Sequence, residues 1–515
     1  MSDCCRTGHH HLDRRSMLLG GTGIATTATL ARVAPAAAGA RRTITFSGRF
    51  TGVATPDWHY LPFTVPRGVR AVEVSYRYRS TDTGAGFSTN VIDIGMFDPD
   101  GFRGWSGGAR KSFRIAADDA TPGYLAGPIR PGRWRVVLGP FLVLPPGVAY
   151  RVTVTLLFGP PARPAFEPDP PPRRVRGTNA GWYRGDLHTH TVHSDGQHTQ
   201  RSLGRLARTS GLDFIGSSEH NTSSATRTWG RFAPDDLLVV TGEEVTTRAG
   251  HWLAMGLPAG EWVDWRFRPA SGRLTAMTRR VRDLGGVSIA CHPYVPIPGT
   301  LWSFGYGFEA MDAIELWNGP WTLDDQTGLV AWHAMLVAGR FVPAVGTSDS
   351  HNVDQTVGEA QTVLRLPTLS TAAVVDAVRH GHGWLAESAE VGLTFDAHLG
   401  QRSASCGERL KAGPADLVDV RLRVTGVPTC LAQVIGPAGP LAGGTTASDG
   451  SLTLSVRVPV GLTPFVRAEV RRLDAAPVVN PLEGVPGLPM VALTNPIFLG
   501  QPGLPRLAAT TVIRS

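Results

Sequence analysis

Lysine is almost absent: only Lys111 and Lys411 stand among 50 basic residues. The formal charge of +8 is therefore carried by arginines, which are scattered, with no dense basic tract between aromatics. Guanidinium groups spread in this way solvate a surface rather than follow a phosphate backbone, so no nucleic-acid partner is expected. Cysteine is scarce too, five in 515 residues, which rules out a disulfide framework. Cys406 and Cys430 can pair in an oxidising compartment, although spacing alone does not decide it. Long apolar runs are also missing: no stretch approaches about eighteen uninterrupted apolar residues, which excludes a permanent membrane span. With 42% hydrophobic and 18% charged residues the chain is not of the disordered class. Its length exceeds what one core can serve and implies roughly two to four domains.

What is present begins with a targeting signal. Asp13-Arg14-Arg15-Ser16-Met17-Leu18-Leu19 has the form of a twin-arginine motif, followed by a weakly apolar segment and the small-residue run Ala36-Ala37-Ala38-Gly39-Ala40. Residues 1–40 are expected to be a signal peptide, Cys4 and Cys5 included. Export to the periplasm, cell surface or medium through the twin-arginine machinery follows from that. Residues 41–159 alternate short β-type runs, such as Ala71–Tyr76 and Tyr150–Thr155, with Gly/Pro turns. Strands so spaced without helical periods are expected to form a β-sandwich. Trp58, Tyr60 and Trp105 are assigned to packing, and this domain to no chemistry. A Pro-rich tract, including Glu167-Pro168-Asp169-Pro170-Pro171-Pro172, makes 160–180 an extended linker.

Residues 181–390 switch to strand followed by helix. Strands are expected at 181–187, 212–217, 238–241, 287–291, 312–317 and 343–347, with helical periods near 200–210, 272–284, 324–338 and 370–380. That alternation implies a mostly parallel sheet, open or closed, with its site at the carboxyl ends of the strands. After about residue 391 the β-type runs return, and 391–515 is expected to be an all-β portion without a site of its own.

The chemistry is concentrated at the strand ends. Asp186-Leu187-His188-Thr189-His190 places two imidazoles on one strand face, because residues i and i+2 project together. Ser194-Asp195-Gly196 adds a carboxylate, an oxygen ligand beside nitrogen ones. Taken alone, these are no more than surface histidines at a strand end. Four further apolar runs also terminate in ligand types: Glu219-His220-Asn221; Gly242-Glu243-Glu244 with Gly250-His251; Cys291-His292-Pro293; and Ser348-Asp349-Ser350-His351. Buried charge is costly unless paired or bound to metal, and packing does not explain the set.

These motifs, in this order across 181–390, resemble the PHP superfamily (polymerase and histidinol phosphatase domain), and are most similar to its CehA/McbA-like metallohydrolase branch. The resemblance implies a distorted seven-stranded β/α barrel with two or three divalent ions, Zn, Mn or Fe. Carried over by position, His188, His190, Glu244 and Asp349 hold one metal. Glu244 bridges to a second with His251 and His292, and Asp195, His220 and His351 hold a third. Glu244 is preferred to Glu243 because it directly precedes Val245-Thr246-Thr247. Glu219 stands where the family usually has Asp; if that carboxylate orients His220, its longer arm changes the support behind the ring.

His193, His198 and His333 fall outside the matching positions and are not assigned as ligands. Cys291 is expected to face away from His292 as a buried inert thiol. Asn318 either touches substrate or is a plain turn residue. Ion clusters of this kind acidify a shared water and clamp a developing oxyanion, and no Ser-His-Asp or Cys-His pair competes with them. The expected activity is hydrolysis of a small-molecule or polymer ester, a phosphoester first, with Asp349, His220 or His351 relaying the proton. Carbamate or carboxyl-ester cleavage is the second reading. A surface glycan- or protein-binding module with structural metals is the third.

Overall fold

The structure, a computed structural model, describes residues 39–52, 55–79, 90–297, 299–479 and 486–501. The expected signal peptide, with Arg14 and Arg15, lies almost wholly outside them. Eight strands come first: β1 (Arg41–Phe50), β2 (His59–Val65), β3 (Val69–Tyr78), β4 (Val91–Asp98), β5 (Gly101–Trp105), β6 (Ser112–Ala116), β7 (Gly132–Leu142) and β8 (Val148–Phe158). They form two antiparallel four-stranded sheets, in the orders β1-β8-β3-β6 and β2-β7-β4-β5. Alternation along each strand decides which way a residue faces. In β7, Trp134, Val136 and Leu138 enter a core shared with Val72, Val74, Val152 and Val154 of the other sheet. Val137, between them, faces the opposite way and joins a core made largely by the central domain. The N-terminal module is therefore glued to its neighbour by the back of one sheet.

The Pro-rich tract is extended and strapped down. The Asp169 N–H donates to the Arg227 carbonyl, the Thr371 N–H to Arg173, and Phe166 lies under the guanidinium of Arg227 at 4.7 Å.

The central domain runs β9 (Gly181–Asp186), α1 (Gln200–Thr209), β10 (Phe214–Ser217), β11 (Leu238–Thr247), β12 (Gly250–Met255), α2 (Arg273–Asp283), β13 (Val287–Ala290), β14 (Ala313–Asn318), α3 (Leu323–Val337), β15 (Ala344–Thr347), β16 (Gln361–Leu366), α4 (Thr371–His380) and β17 (Gly383–Ala386). Thr199 caps α1 and Ser370 caps α4 through side-chain oxygens, and Thr322 with Asp325 forms a capping box on α3. The sheet order is β15-β14-β13-β12-β11-β10-β9-β16-β17.

Here the expectation of a mostly parallel sheet needs correction. β9, β10 and β11 are parallel, as are β13, β14 and β15, but β12 runs antiparallel between β11 and β13. β16 and β17 are antiparallel as well. The reason lies in Arg248-Ala249: two residues cannot carry a crossover, so the chain turns straight back after β11. Because β12 reverses direction twice over, the two parallel groups still point the same way. The sheet curls until β15 meets β16, where the Thr362 hydroxyl accepts from the Gly346 N–H at 3.0 Å and donates to its carbonyl at 2.7 Å.

Beyond it lie β18 (Gly392–Leu399), β19 (Arg402–Ser405), β20 (Arg409–Leu410), β21 (Leu417–Thr425), β22 (Cys430–Gly436), β23 (Gly439–Thr445), β24 (Leu452–Pro459), β25 (Phe465–Arg472), the short pair β26 (Val478–Val479) and β27 (Pro486–Gly487), β28 (Met490–Thr494) and β29 (Ile497–Leu499). One antiparallel sheet, β19-β18-β21-β24, is separate. The strands β28, β25, β22 and β23 instead extend the central sheet, entering through β17 with Trp384 opposite Thr494. Cys406 and Cys430 are both buried free thiols, so the pairing raised from the sequence is not made. No helix among the described residues is long and apolar enough to cross a membrane.

At the seam, Thr362→Val leaves both polar groups of Gly346 without their partner while keeping side-chain shape. It should cost about 1–3 kcal/mol, read as a lowered urea midpoint.

Candidate metal centre

The six co-directional strands end on one side of the sheet, and the ligand-type residues follow them. β9 leads into His188 and His190, β10 into His220, β13 into Cys291 and His292, and β15 into Asp349 and His351. Glu244 and Glu315 project from within β11 and β14. His251 opens the reversed strand β12, opposite Thr246 of β11, so the tight turn returns it to the same end. Asp349 and His292 have positive φ, 49° and 28°, and so does Asn221 at 52°. Left-handed backbone at three such positions bends each chain off its strand toward the centre.

Glu244 lies at the middle, fully buried. Its Oε2 is 3.3 Å from His188 Nε2, 3.5 Å from His190 Nε2 and 2.6 Å from His220 Nδ1. Its Oε1 is 2.8 Å from His251 Nδ1 and 3.6 Å from His292 Nε2. Neither oxygen makes an oriented hydrogen bond, nor do His188 Nε2, His292 Nδ1 or either nitrogen of His251. Buried polar atoms seldom stay unpaired, and here each Glu244 oxygen faces an unpaired nitrogen, His188 Nε2 on one side and His251 Nδ1 on the other. Asp349 Oδ1 lies 3.2 and 3.1 Å from the Nε2 atoms of His188 and His190. On the open side, Asp195 Oδ1 is 3.6 Å from His220 Nε2 and 3.4 Å from His351 Nε2. Every residue expected as a ligand thus falls in one contiguous cluster, whose overlapping groups can hold metal ions.

Glu243 faces the other way, as strand alternation requires, and accepts from the Val263 N–H at 2.6 Å. Burial pushes its carboxyl well above the usual range. Burial acts on Glu244 in the same sense, but His220, His188 and His251 outweigh it and hold that carboxyl well below its ordinary value. Two neighbouring carboxyls are thus shifted in opposite directions. His220 feels burial, then Glu244 and Asp195, which raise it to about 10. His190 is lowered to about 3 by burial and by the His351 and His220 rings.

Several supporting residues escape a reading based on strand ends. Glu315 accepts from His188 Nδ1 at 2.7 Å and from the His292 N–H at 2.9 Å, and so orients two of the central residues. A glutamate inside the apolar run Ala313-Ile314-Glu315-Leu316-Trp317 was the available signal. Asn318 donates to Glu315 at 3.1 Å, so it braces that carboxylate. Asp186 accepts from the N–H groups of His188, Ser348 and Gly358 and joins the two histidine and aspartate loops.

Two expectations are overturned. Glu219 does not orient His220: it accepts from the hydroxyls of Thr191 and Ser194, and Ser194 reaches His190 Nδ1 at 3.3 Å. Cys291 does not turn away either, since its sulfur groups with His188 and Glu244, and also with His292 and Glu315. The alternation behind that expectation fails because the backbone leaves strand geometry at His292. His193 and His333 bond elsewhere, to Ser224 and to Arg467, and His198 is buried outside the cluster.

Neither a family model nor a curated protein sequence matches the chain. Among solved structures, a two-domain protein from Bacteroides vulgatus containing a predicted PHP-like metal-dependent phosphoesterase is 18% identical, with 64% of this chain and 99% of that one covered, at a TM-score of 0.34. An amidohydrolase from Chromobacterium violaceum, with sulfate and no metal bound, is 16% identical over 34% of this chain and 89% of that one, at a TM-score of 0.26.

Replacing Glu315 with Gln, which keeps the shape but removes the charge behind His188, should weaken metal affinity about 10–100-fold in a competition titration. The metal-free fold gains from protonated His220: that contribution is full below its ordinary value of 6.5 and lost as pH rises through about 10. Metal uptake at neutral pH must displace that proton. It should show net proton release in calorimetry across buffers of different ionisation enthalpy, and tighten as pH rises.

Proposed function

We propose that this chain is a metal-dependent hydrolase of the PHP kind that cleaves phosphoesters. The observation that carries the proposal is Glu244, a fully buried carboxylate whose two oxygens face two separate sets of imidazole nitrogens, His188 Nε2 in one and His251 Nδ1 in the other being unpaired. That is the donor arrangement of a bridging ligand between cations. His188, His190, Glu244 and Asp349 would hold one ion, Glu244, His251 and His292 a second, and Asp195, His220 and His351 a third. Divalent ions bound there acidify water and stabilise negative charge developing on the substrate's oxygens. Glu315 and Asp186 keep the histidine loops in register for that task. Asp349, His220 and His351 border the open side, where Asp195 is half-exposed, and are assigned the relay of protons to and from solvent.

Carbamate or carboxyl-ester cleavage uses the same residues, and the apolar cavity beside His220 and His251 favours it as the second reading. A binding module with structural metals fits less well, because structural zinc sites close around about four ligands and this donor set is larger and open on one side. Zinc, manganese and iron all suit mixed imidazole and carboxylate donors. Export through the twin-arginine machinery is part of the proposal and rests on Arg14-Arg15 and the segment after it.

Protein loaded with Zn, Mn or Fe in turn should hydrolyse nitrophenyl phosphate or its diester, with the His188→Ala/His190→Ala double variant losing turnover and most bound metal. Hydrolysis of a naphthyl carbamate with no phosphoester turnover would replace the first reading by the second. Full activity in the double variant would remove the site assignment.

A further inference from the structure

The two sheets of the N-terminal module put their outer faces to different uses. The back of β2-β7-β4-β5 is taken up by the central domain, through Val137, Phe97 and Trp105. The outer face of β1-β8-β3-β6 lies on the far side of the module, away from the histidine cluster. Alternation sends Val72, Val74, Val152 and Val154 into the core and their neighbours outward. Among those outward residues, Thr45, Thr153, Ser75 and Ser112 form one row of hydroxyls across all four strands.

The adjoining row is Ser47, Arg151 and Arg77, and Arg79 follows Arg77 by two residues on the same side. Arg49 adds a further guanidinium one row on, beside Ala149, where it donates to the Pro146 carbonyl at 2.9 Å. Residues directly opposite in an antiparallel pair have Cβ atoms only about 4.5–5.5 Å apart, and like charges there repel. Arg77 and Arg151 are such a pair. Among the described residues, the side chains of Arg77, Arg79 and Arg151 make no hydrogen bond or ion pair, and all three are exposed. The carboxylate on this face, Glu73, stands two rows away and opposite Arg114. The three arginines and Ser47 rim a shallow concavity of about 390 Å³. Arginines that look scattered along the chain are thus gathered by strand pairing into one uncompensated patch.

The surroundings of the patch select its ligand. A bilayer surface calls for apolar side chains that insert, and no large apolar residue left exposed among the described ones occupies an outward position of these strands. Nucleic-acid strands call for aromatic platforms, whereas Tyr76, Tyr78 and Tyr150 pack toward the core. Guanidinium forks match carboxylates two bonds at a time, and the hydroxyl row beside them suits a chain of sugar hydroxyls. The geometry points to the outer face of the N-terminal module as a binding surface for an acidic polysaccharide. Arg77, Arg79 and Arg151 pair with its carboxylates, and the row from Thr45 to Ser112 bonds the sugar rings that follow. The module then tethers the enzyme to a polymer, a function separate from hydrolysis.

Affinity electrophoresis of the full chain through polygalacturonate at about 0.15 M salt tests this, with neutral dextran, phosphatidylglycerol vesicles and duplex DNA as competing probes. Arg77→Gln/Arg79→Gln/Arg151→Gln removes the patch. Arg402→Gln/Arg421→Gln/Arg423→Gln removes the same charge from the C-terminal sheet β19-β18-β21-β24. Wild type and the C-terminal variant should bind polygalacturonate within about threefold of each other, and the patch variant at least about tenfold more weakly. Dextran should bind none of them, and vesicles and DNA should bind wild type more weakly than polygalacturonate does. Arg151→Gln alone should weaken binding in the same direction. Because it relieves a like-charge pair, its melting midpoint should not fall. An equal loss in the C-terminal variant would mean that net charge alone is read, and would overturn the inference. Preference for vesicles or DNA, no binding of polygalacturonate, or a midpoint that falls together with binding would overturn it too.

Discussion

A fully buried carboxylate with five imidazoles facing it makes a demand on everything nearby. Burying such an ion costs several kcal/mol unless opposite charge is brought to both oxygens. The chain meets the demand by aiming the ends of separate strands at one point, and Glu244 is the residue on which they converge. Its neighbour Glu243, turned to the other face of the same strand, shows the alternative: away from the imidazoles, burial pushes the carboxyl well above its ordinary value. One peptide unit separates two carboxyls that their surroundings shift in opposite directions.

Architecture follows from that centre. β12 reverses direction so that His251 opens it at the ligand end of the sheet, and the left-handed turns at Asp349, His292 and Asn221 bend loops inward where plain strands would run past. Glu315, Asp186 and Glu219 form a ring of carboxylates that hold loops and rings rather than face the cluster's middle. Such supports are what keep a set of ligands preorganised rather than merely nearby.

Much of this was legible in the amino-acid order, for a definite reason. An apolar run that ends in His, Asp or Glu leaves few explanations, so His188, His190, His220, Glu244, His292, Asp349 and His351 announce themselves. The same logic misses residues that act from inside a strand, as Glu315 does, because one acidic position in an apolar run resembles noise. The reversed strand Gly250–Met255 was missed because the turn Arg248-Ala249 is too short to look like an element boundary. Cys291 was misplaced because alternation was assumed to continue through His292, where the backbone changes hand.

The continuation of the central sheet into β28, β25, β22 and β23 bears on how the chain matures. Among the described residues, the outer hydrogen-bonding edge of β17 is covered by β28. Until that late segment emerges from synthesis, a nearly complete catalytic layer presents a bare strand border, the kind of template that recruits other chains. Most of the pairings that close the layer are distant in sequence, which slows folding and lengthens that exposure. By pairing with β17, β28 covers the border that the catalytic layer would otherwise leave open.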